Sequence, residues 1–431
     1  MHAKLQPLNL LGASLFVLAS LAYSPASAQS ASTSPSNGPR YAPGTIYEPL
    51  SSLPGVTDVG KRVHTFLKIL VPPTGSAPHK MGAPTPPYGG YFYETPASLA
   101  CVYAVVAVNV GCNPNSSLPN SPYGSRAIAI VDAYDYPAAT SDLTTFSSQM
   151  GLPAPTSSNF QVVYATGTQP PNGTGTGWDT EAALDIQYSH GLAPKALVYL
   201  VEAASPAFSD MFYAVSVAST LVANAGGGQV SMSWGSAEFS GETSWDSYMT
   251  TSKVIYFTSA GDAAGVNYPS ASPNAVSVGG VGNSRSPSTG KFQGAVAWTS
   301  TGGGVSAYEP RPGWQTSIYS IVGAYRGTPD VSAVADPNTG VWVYNAYNGG
   351  WLIVGGTSVA SPVMAAISNA AGHFAVSTAA EHSNMYSTLG TPGAGWTDVT
   401  SGWCQIYDGD LADQGWDLCT GIGTPYGLYY K

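Results

Sequence analysis

From Ala127 onward, short apolar runs alternate with stretches of helical pattern, and this alternation constrains the fold more than any other feature. Ala127-Ile-Ala-Ile-Val131 is an unbroken apolar run ending in Asp132. Such a run, without polar alternation, is a strand buried on both faces, the mark of a parallel sheet. Comparable strands are predicted over 196–201, 229–234, 254–259 and 275–279. Between them, Ser141-Asp142 is expected to cap a helix running to about Met150, and 180–190 and 208–222 read as helices. Later, Trp351-Leu-Ile-Val354 leads through Gly355-Gly356-Thr357 into a helix starting near Ser358. Strands alternating with helices predict an α/β fold with a mainly parallel central sheet and helices on both faces, joined by right-handed crossovers.

The N-terminal part reads differently. Lys4 precedes an apolar run from Leu10 to Ala22, followed by Ser24-Pro-Ala-Ser-Ala28. This is a signal-peptide pattern over 1–28, with cleavage expected after Ala28. The protein is therefore expected to be secreted, extracellular or periplasmic, with no membrane span once the signal is removed. Residues 29–93 read as a Ser/Pro-rich linker and a short, propeptide-like segment, in which 64–71 forms one strand. The main domain is expected over 94–431. Export makes disulfides plausible for the four cysteines, and local pairing is preferred, Cys101 with Cys112 and Cys404 with Cys419. Only 9% of residues are charged and the net charge is −10. No basic cluster is present to neutralise phosphates, so nucleic acid is not expected as a partner. A sparse acidic charge set suits a protein working in acid, and equally suits an ordinary acidic exported protein.

Gly355-Gly-Thr-Ser-Val-Ala-Ser-Pro362 joins a buried strand to a helix. The glycines allow a sharp turn and close approach of a ligand. Ser358 at the helix N-terminus would lie where backbone N–H groups stabilise a developing oxyanion. Pro362 is expected within the first helical turn, where a missing N–H costs little. Thr357 or Ser358 acting only as a helix cap is the plainer alternative. The full G-T-S-x-x-S-P string after an apolar strand is the nucleophile signature of subtilisin-like peptidases, and favours Ser358 as nucleophile.

A serine nucleophile needs a group to take its proton. None of the six histidines lies in the H-G-T-H setting of subtilisins. The candidate base lies instead in Trp178-Asp-Thr-Glu-Ala-Ala-Leu-Asp-Ile-Gln187. Glu181 and Asp185, four apart, share one helix face. Their repulsion raises the upper apparent pKa of the pair, so that one proton is shared between them. Such a dyad accepts a proton in acid, where histidine is already cationic. A solvated acidic face is the commoner fate of E-x-x-x-D, but Ala182, Leu184 and Ile186 make this helix apolar. Asp262 follows the strand at 254–259, at the carboxyl end where α/β sites are built. Protonated, it would donate a hydrogen bond to an oxyanion. A plain Gly-Asp turn is the alternative.

These pieces occur together and in order. Glu94-Thr-Pro-Ala-Ser-Leu, Ala127-Ile-Ala-Ile-Val-Asp-Ala-Tyr-Asp135, Glu181-Ala-Ala-Leu-Asp185, Ser231-Met-Ser-Trp-Gly235, Ser259-Ala-Gly-Asp262, Tyr268-Pro-Ser-Ala-Ser-Pro273, Gly356-Thr-Ser-Val-Ala-Ser-Pro362 and Gly415-Trp-Asp-Leu-Cys-Thr-Gly-Ile-Gly-Thr-Pro425 resemble the sedolisins, or serine-carboxyl peptidases. The resemblance runs from about Glu94 to the C-terminus. It implies a subtilisin-like fold and a catalytic set of Glu181, Asp185, Asp262 and Ser358. Glu181 would be the base, Asp185 its partner, and Asp262 the oxyanion donor beside the Ser358 N–H. Asp132 sits where subtilisins place their acid, but the family's catalytic set does not use it. The resemblance also implies one structural Ca²⁺ ion, held by the carboxylates of Asp398 and Asp417 and the carbonyls of Val399, Asp413 and Gly415. Two acidic turns are the plainer reading there. Two departures stand out: Gly355 replaces the usual serine, and the space between Ala28 and Glu94 admits only a small pro-segment.

The expected function is a secreted peptidase acting in acid on protein or peptide substrates, as a monomer. The competing expectation is a catalytically silent, sedolisin-like extracellular binding protein.

Overall fold

The computed structural model describes residues 41–74, 76, 78, 93–106, 124–286, 291–391, 393–405 and 410–428, all within the unit Ser36–Lys431. The expected signal peptide, most of the Ser/Pro-rich stretch and Cys112 lie outside the described residues.

In chain order the first elements are strands β1 (Ile46–Tyr47), β2 (His64–Thr65) and β3 (Lys68–Leu70), then helix α1 (Pro96–Val102). An α/β series follows: β4 (Ala127–Ala133), α2 (Ala139–Met150), β5 (Phe160–Tyr164), α3 (Trp178–Leu192), β6 (Leu197–Ala203), α4 (Phe208–Asn224), β7 (Gly228–Met232), β8 (Trp234–Ala237) and β9 (Val254–Ser259). Then come β10 (Asn267–Tyr268), β11 (Val276–Arg285), β12 (Phe292–Ala297), β13 (Gly304–Pro310), α5 (Tyr319–Val322), β14 (Tyr325–Thr328), β15 (Val331–Val334), β16 (Val341–Asn345), β17 (Gly350–Gly355) and α6 (Thr357–Ala371).

The central sheet runs in the order β12-β11-β9-β7-β4-β6-β5, with β15 also paired to β11. Every pair in it is parallel except β11–β12. Burial on both faces is why β4 reads as an unbroken apolar run. Ile128 and Ile130 pack with Leu184 of α3 and Val363 of α6. Ala127, Ala129 and Val131 pack with Phe212 and Val215 of α4 on the opposite face. The mainly parallel α/β architecture therefore agrees with the reading of the sequence.

Several local expectations are corrected. Helix α2 begins at Ala139 with Ala138 before it, so Ser141 and Asp142 lie inside the first turn; Asp142 instead accepts from Tyr136 Oη at 2.5 Å. The strand expected over 229–234 breaks at Ser233 into β7 and β8, and that expected over 64–71 breaks at Phe66–Leu67 into β2 and β3. Pro362 lies in the second turn of α6, not the first. A proline there leaves the carbonyl four residues back without its helical donor. That carbonyl belongs to Ser358, and the Ser233 hydroxyl, 3.1 Å away, replaces the missing N–H.

Candidate active site

Strand β17 delivers the chain to Gly356, whose φ of +103° and lack of a side chain turn it sharply into α6. A Cβ on Gly356 would lie 2.0 Å from Phe66 O and 2.6 Å from Asp262 Oδ2. Only glycine leaves this gap open. Gly356 is the N-cap of α6, so neither Thr357 nor Ser358 caps the helix. Both side chains turn into the site instead.

Ser358 Oγ donates to Glu181 Oε2 at 2.9 Å and also lies 3.1 Å from the Ser233 carbonyl. Glu181 comes from α3, and one turn further along Asp185 Oδ1 lies 2.9 Å from Ser233 Oγ. Glu181, Asp185 and Ser358 are all fully buried. The remaining carboxyl oxygens, Glu181 Oε1 and Asp185 Oδ2, meet no N–H or O–H donor, and the charge of Asp185 acts on Glu181. One proton held between them satisfies both. Burial first, then the charges of Asp185 and Asp132, pushes Glu181 well above the ordinary glutamate range, with the Ser358 hydrogen bond pulling the other way. Burial, then Asp132, raises Asp185 likewise, against hydrogen bonds from Ser233 and Glu181.

Asp262 follows β9 and reaches the same gap. Its Oδ1 accepts from Thr357 N at 2.7 Å and Thr357 Oγ1 at 3.0 Å, and Thr357 Oγ1 accepts from Gly261 N at 3.0 Å. These bonds fix the carboxyl and leave Oδ2 buried without a partner, beside the opening over Gly356. Burial pushes Asp262 up to about 7, despite the Thr357 N–H, Lys68 and the Thr357 hydroxyl.

The structure thus brings Glu181, Asp185, Asp262 and Ser358 together. Three residues beyond these complete the arrangement. Ser233 links the acid pair to the serine, and its place inside Ser231-Met-Ser-Trp-Gly235 was the available signal. Thr357 orients Asp262. Asp132, at the end of β4, is buried with both oxygens unpartnered; burial lifts it to about 8, and its charge acts on both Glu181 and Asp185. Among the described residues no histidine hydrogen-bonds to the serine. His64 pairs with Asp58 at 3.0 Å, His190 contacts Pro153 O at 2.8 Å, and His382 contacts Asp330 at 3.0 Å.

Comparison with known proteins shows what this chain is similar to. The model of the subtilase family matches residues 164–372. Kumamolisin of Bacillus sp. (strain MN-32) is 28% identical over 361 residues, covering 70% of this chain and 59% of kumamolisin. Sedolisin of Pseudomonas sp. (strain 101) is 26% identical over 352 residues, covering 72% of this chain and 57% of sedolisin. The chain is similar to the sedolisins along most of its length. It spans less than two thirds of the length of these curated relatives. The solved structure of Pseudomonas sedolisin, a serine-carboxyl proteinase complexed with two molecules of pseudo-iodotyrostatin, superposes with a TM-score of 0.64 at 23% identity. It covers 78% of this chain and 96% of that one, and shows the subtilisin-like fold to be shared.

The calcium set expected of a sedolisin lies near the C-terminus. Asp398 Oδ2 accepts from Gly415 N at 2.8 Å, and Asp417 Oδ2 accepts from Asp413 N at 3.3 Å. Two carboxylates therefore flank one turn, 413–417, whose own carbonyls are further hard oxygens. Val399, next to Asp398, is buried. This all-oxygen donor set fits calcium. Among the described residues no group of three or more His, Cys, Asp or Glu side chains gathers to hold a metal, and the expected carbonyl ligands are those of Val399, Asp413 and Gly415. The Cys404–Cys419 disulfide, Cα–Cα 5.7 Å, closes the same region. Cys101 is also disulfide-bonded; its expected partner, Cys112, lies outside the described residues. No described helix is long and apolar enough to cross a membrane.

Proposed function

We propose that the chain is a secreted, acid-acting serine-carboxyl peptidase that hydrolyses peptide bonds of protein substrates through an acyl-enzyme on Ser358. The observation that carries this reading is the 2.9 Å contact of Ser358 Oγ with Glu181 Oε2, beside a buried acid pair and with no histidine hydrogen-bonded to the serine among the described residues.

In this mechanism Glu181 accepts the Ser358 proton as Oγ attacks the substrate carbonyl carbon. The oxyanion accepts hydrogen bonds from Ser358 N–H and from protonated Asp262, whose free Oδ2 faces the gap over Gly356. Glu181 then passes its proton to the departing amine, the C–N bond breaks, and an ester to Ser358 remains. Water, deprotonated by Glu181, hydrolyses that ester and restores the serine hydroxyl. Asp185 shares the dyad proton and keeps Glu181 oriented. A calcium ion held by Asp398, Val399, Asp413, Gly415 and Asp417 would neutralise two acidic turns and stiffen the C-terminal loop. Residues 94–431 form the peptidase domain of this monomer, 29–93 a linker and pro-segment, and 1–28 the signal peptide.

The test is digestion of a mixed peptide library at about pH 4, followed by mass spectrometry, with Ser358→Ala as control. Cleavage lost in the control is expected. Absence of cleavage by the unaltered chain, with protein shown to be folded, would reject the reading.

A further inference from the structure

The carboxylates of Asp398 and Asp417 are held by N–H groups of the turn between 413 and 420. Besides the bond from Asp413 N, Asp417 Oδ1 accepts from Cys419 N and Thr420 N, both at 2.8 Å, and Oδ2 accepts from Thr420 Oγ1 at 3.0 Å. Both oxygens of Asp417 are thus fixed, and Cys419 supplies one of the donors. Asp398 comes from an earlier turn and meets this one through the 2.8 Å bond from Gly415 N. A cavity of about 250 Å³ beside Asp398 and Gly415 gives an ion a way in.

The two turns meet over a small core of their own, separate from the cores on either face of the central sheet. Cys404 and Cys419 are fully buried and pack with Val399 and Ala412, against Val281 of β11 and Ala297 of β12. Three of these residues adjoin the expected calcium ligands. Val399 is itself one of them and follows Asp398, Ala412 precedes Asp413, and Cys419 lies two residues past Asp417. Cys404 lies in a short antiparallel hairpin, Trp403–Cys404 against Asp410–Leu411. Backbone bonds on either side of it, Ala297 N to Ser401 O at 2.8 Å and Gln405 N to Thr299 O at 3.2 Å, fix it to the sheet. The disulfide therefore joins a part of the chain anchored on the sheet to the end of the ligand turn. Without the two cysteines, the buried members of this core are two valines and two alanines. So small a set buries little apolar area, and cores of that kind are held by covalent staples.

We propose that the Cys404–Cys419 disulfide positions the calcium site, completing the small core that brings the Asp398 turn and the 413–417 turn to one ion, so that calcium is held in the oxidised chain and released when the disulfide is reduced. The proposal rests on the calcium reading for the identity of the ion. In the oxidised chain the two carboxylates are already ordered, and the ion does not have to order them as it binds. Reduction by a dithiol passes two electrons and two protons to the sulfurs. The S–S bond breaks, two thiols remain, and the dithiol becomes a disulfide. The two turns are then tied by four small apolar residues and single hydrogen bonds.

The test reads calcium binding and local order, so that it does not depend on turnover. Calcium chloride is titrated by calorimetry into the chelator-stripped full chain, into Cys404→Ala/Cys419→Ala, and into the unaltered chain reduced with dithiothreitol. The double variant leaves the disulfide of Cys101 intact. Binding weaker by about tenfold or more is expected in both altered states. Hydrogen exchange without calcium gives a second readout. The amides of Asp413, Gly415, Cys419 and Thr420 should exchange about tenfold faster or more in the double variant, while Ile130 in β4 keeps its protection. Equal calcium affinity in the oxidised and disulfide-free chains would overturn the proposal. Loss of protection at Ile130 as well would also overturn it, since the disulfide would then hold the whole domain and not these turns. Val281→Ala thins the same core with the disulfide in place, and a calcium loss as large as that of the double variant would assign the effect to burial alone. If the oxidised chain binds no calcium while the four amides still loosen in the double variant, the positioning role holds and the calcium reading alone is rejected.

Discussion

Ser233 and Ser358 are arranged reciprocally: each hydroxyl lies 3.1 Å from the other residue's main-chain carbonyl and 2.9 Å from a carboxyl oxygen of α3. Each hydroxyl has one proton and two acceptors. Ser233 Oγ divides its one proton between Asp185 Oδ1 and the Ser358 carbonyl left bare by Pro362, and a neutral Asp185 leaves that proton to the carbonyl. Ser233 thereby couples the protonation of the acid pair to the backbone of the nucleophile.

Ser233→Ala removes that link while sparing the Ser233 carbonyl. Loss of one neutral hydrogen bond and exposure of a buried acceptor are worth roughly 1–3 kcal/mol, so kcat should fall about 10- to 100-fold with little change in KM. Ser233→Thr keeps the hydroxyl and should recover part of the loss. A KM rise at unchanged kcat would mean that Ser233 serves only peptide binding.

Ser358→Ala and Glu181→Gln each remove a member of the proton-transfer pair. Either should lower kcat by roughly 10³-fold or more in a folded protein. Combining them should add little, because the two residues act as one unit. Full turnover by either variant would exclude the assignment.

Asp262 must be protonated to donate to an oxyanion, and burial sets it at about 7. It is neutral below that value and loses its proton as pH rises through it. The acid pair must keep one negative charge to accept the serine proton, which fails at very low pH. The pH–kcat profile should therefore be a bell on the acid side of neutrality, with an alkaline limb near 7 and limbs that belong to coupled groups. Asp262→Asn donates without titrating, so its residual activity should persist to higher pH. An optimum at or above about pH 8 would contradict the roles given to these carboxyls.

The calcium assignment is tested by melting curves. Chelation should lower Tm, and added calcium should restore it in the unaltered chain but not in Asp398→Ala. A Tm indifferent to both treatments would show that the two acidic turns need no ion.

The sequence made the scaffold legible where one physical demand dominated. The buried strand at 127–131 admits only apolar residues, and the Gly356-Thr357-Ser358 turn needs a glycine at positive φ. Glu181 and Asp185 were legible as a pair because helical spacing fixes their common face. Pro362 was misplaced because its cost depends on whether the Ser358 carbonyl has another donor, and Ser233, 125 positions before Ser358, supplies one. The break at Phe66–Leu67 was hidden for the same reason. An apolar run reads as a continuous strand, and only its two partner strands, β8 and β17, reveal that it is interrupted.

The buried carboxyls also govern stability. Burial raises Asp132 and Glu202 to about 8 and Asp262 to about 7, against about 4 in an unfolded chain. Asp132 acts on Glu181 and Asp185, and Asp135 and Asp132 act on Glu202, so acidic neighbours add to the effect of burial. Asp262 meets Lys68, whose effect is outweighed by burial. A group whose folded pKa is raised keeps its full stabilising contribution below the unfolded value and loses it as pH rises through the folded one. Stability should therefore decline between about pH 4 and about pH 8. Asp330 works in the opposite sense: burial alone would raise it, but Arg326 and His382 hold it well below the usual carboxylate range. Its contribution is present above about pH 4 and lost as pH falls below that. The two trends predict a Tm maximum in mild acid, with a long decline toward alkaline pH and a second decline in strong acid. Asp132→Asn, which removes one raised carboxyl, should flatten the alkaline decline more than it changes Tm at about pH 4. Calorimetric scans across that range check both points, and a Tm that rises steadily from about pH 4 to about pH 8 would contradict them.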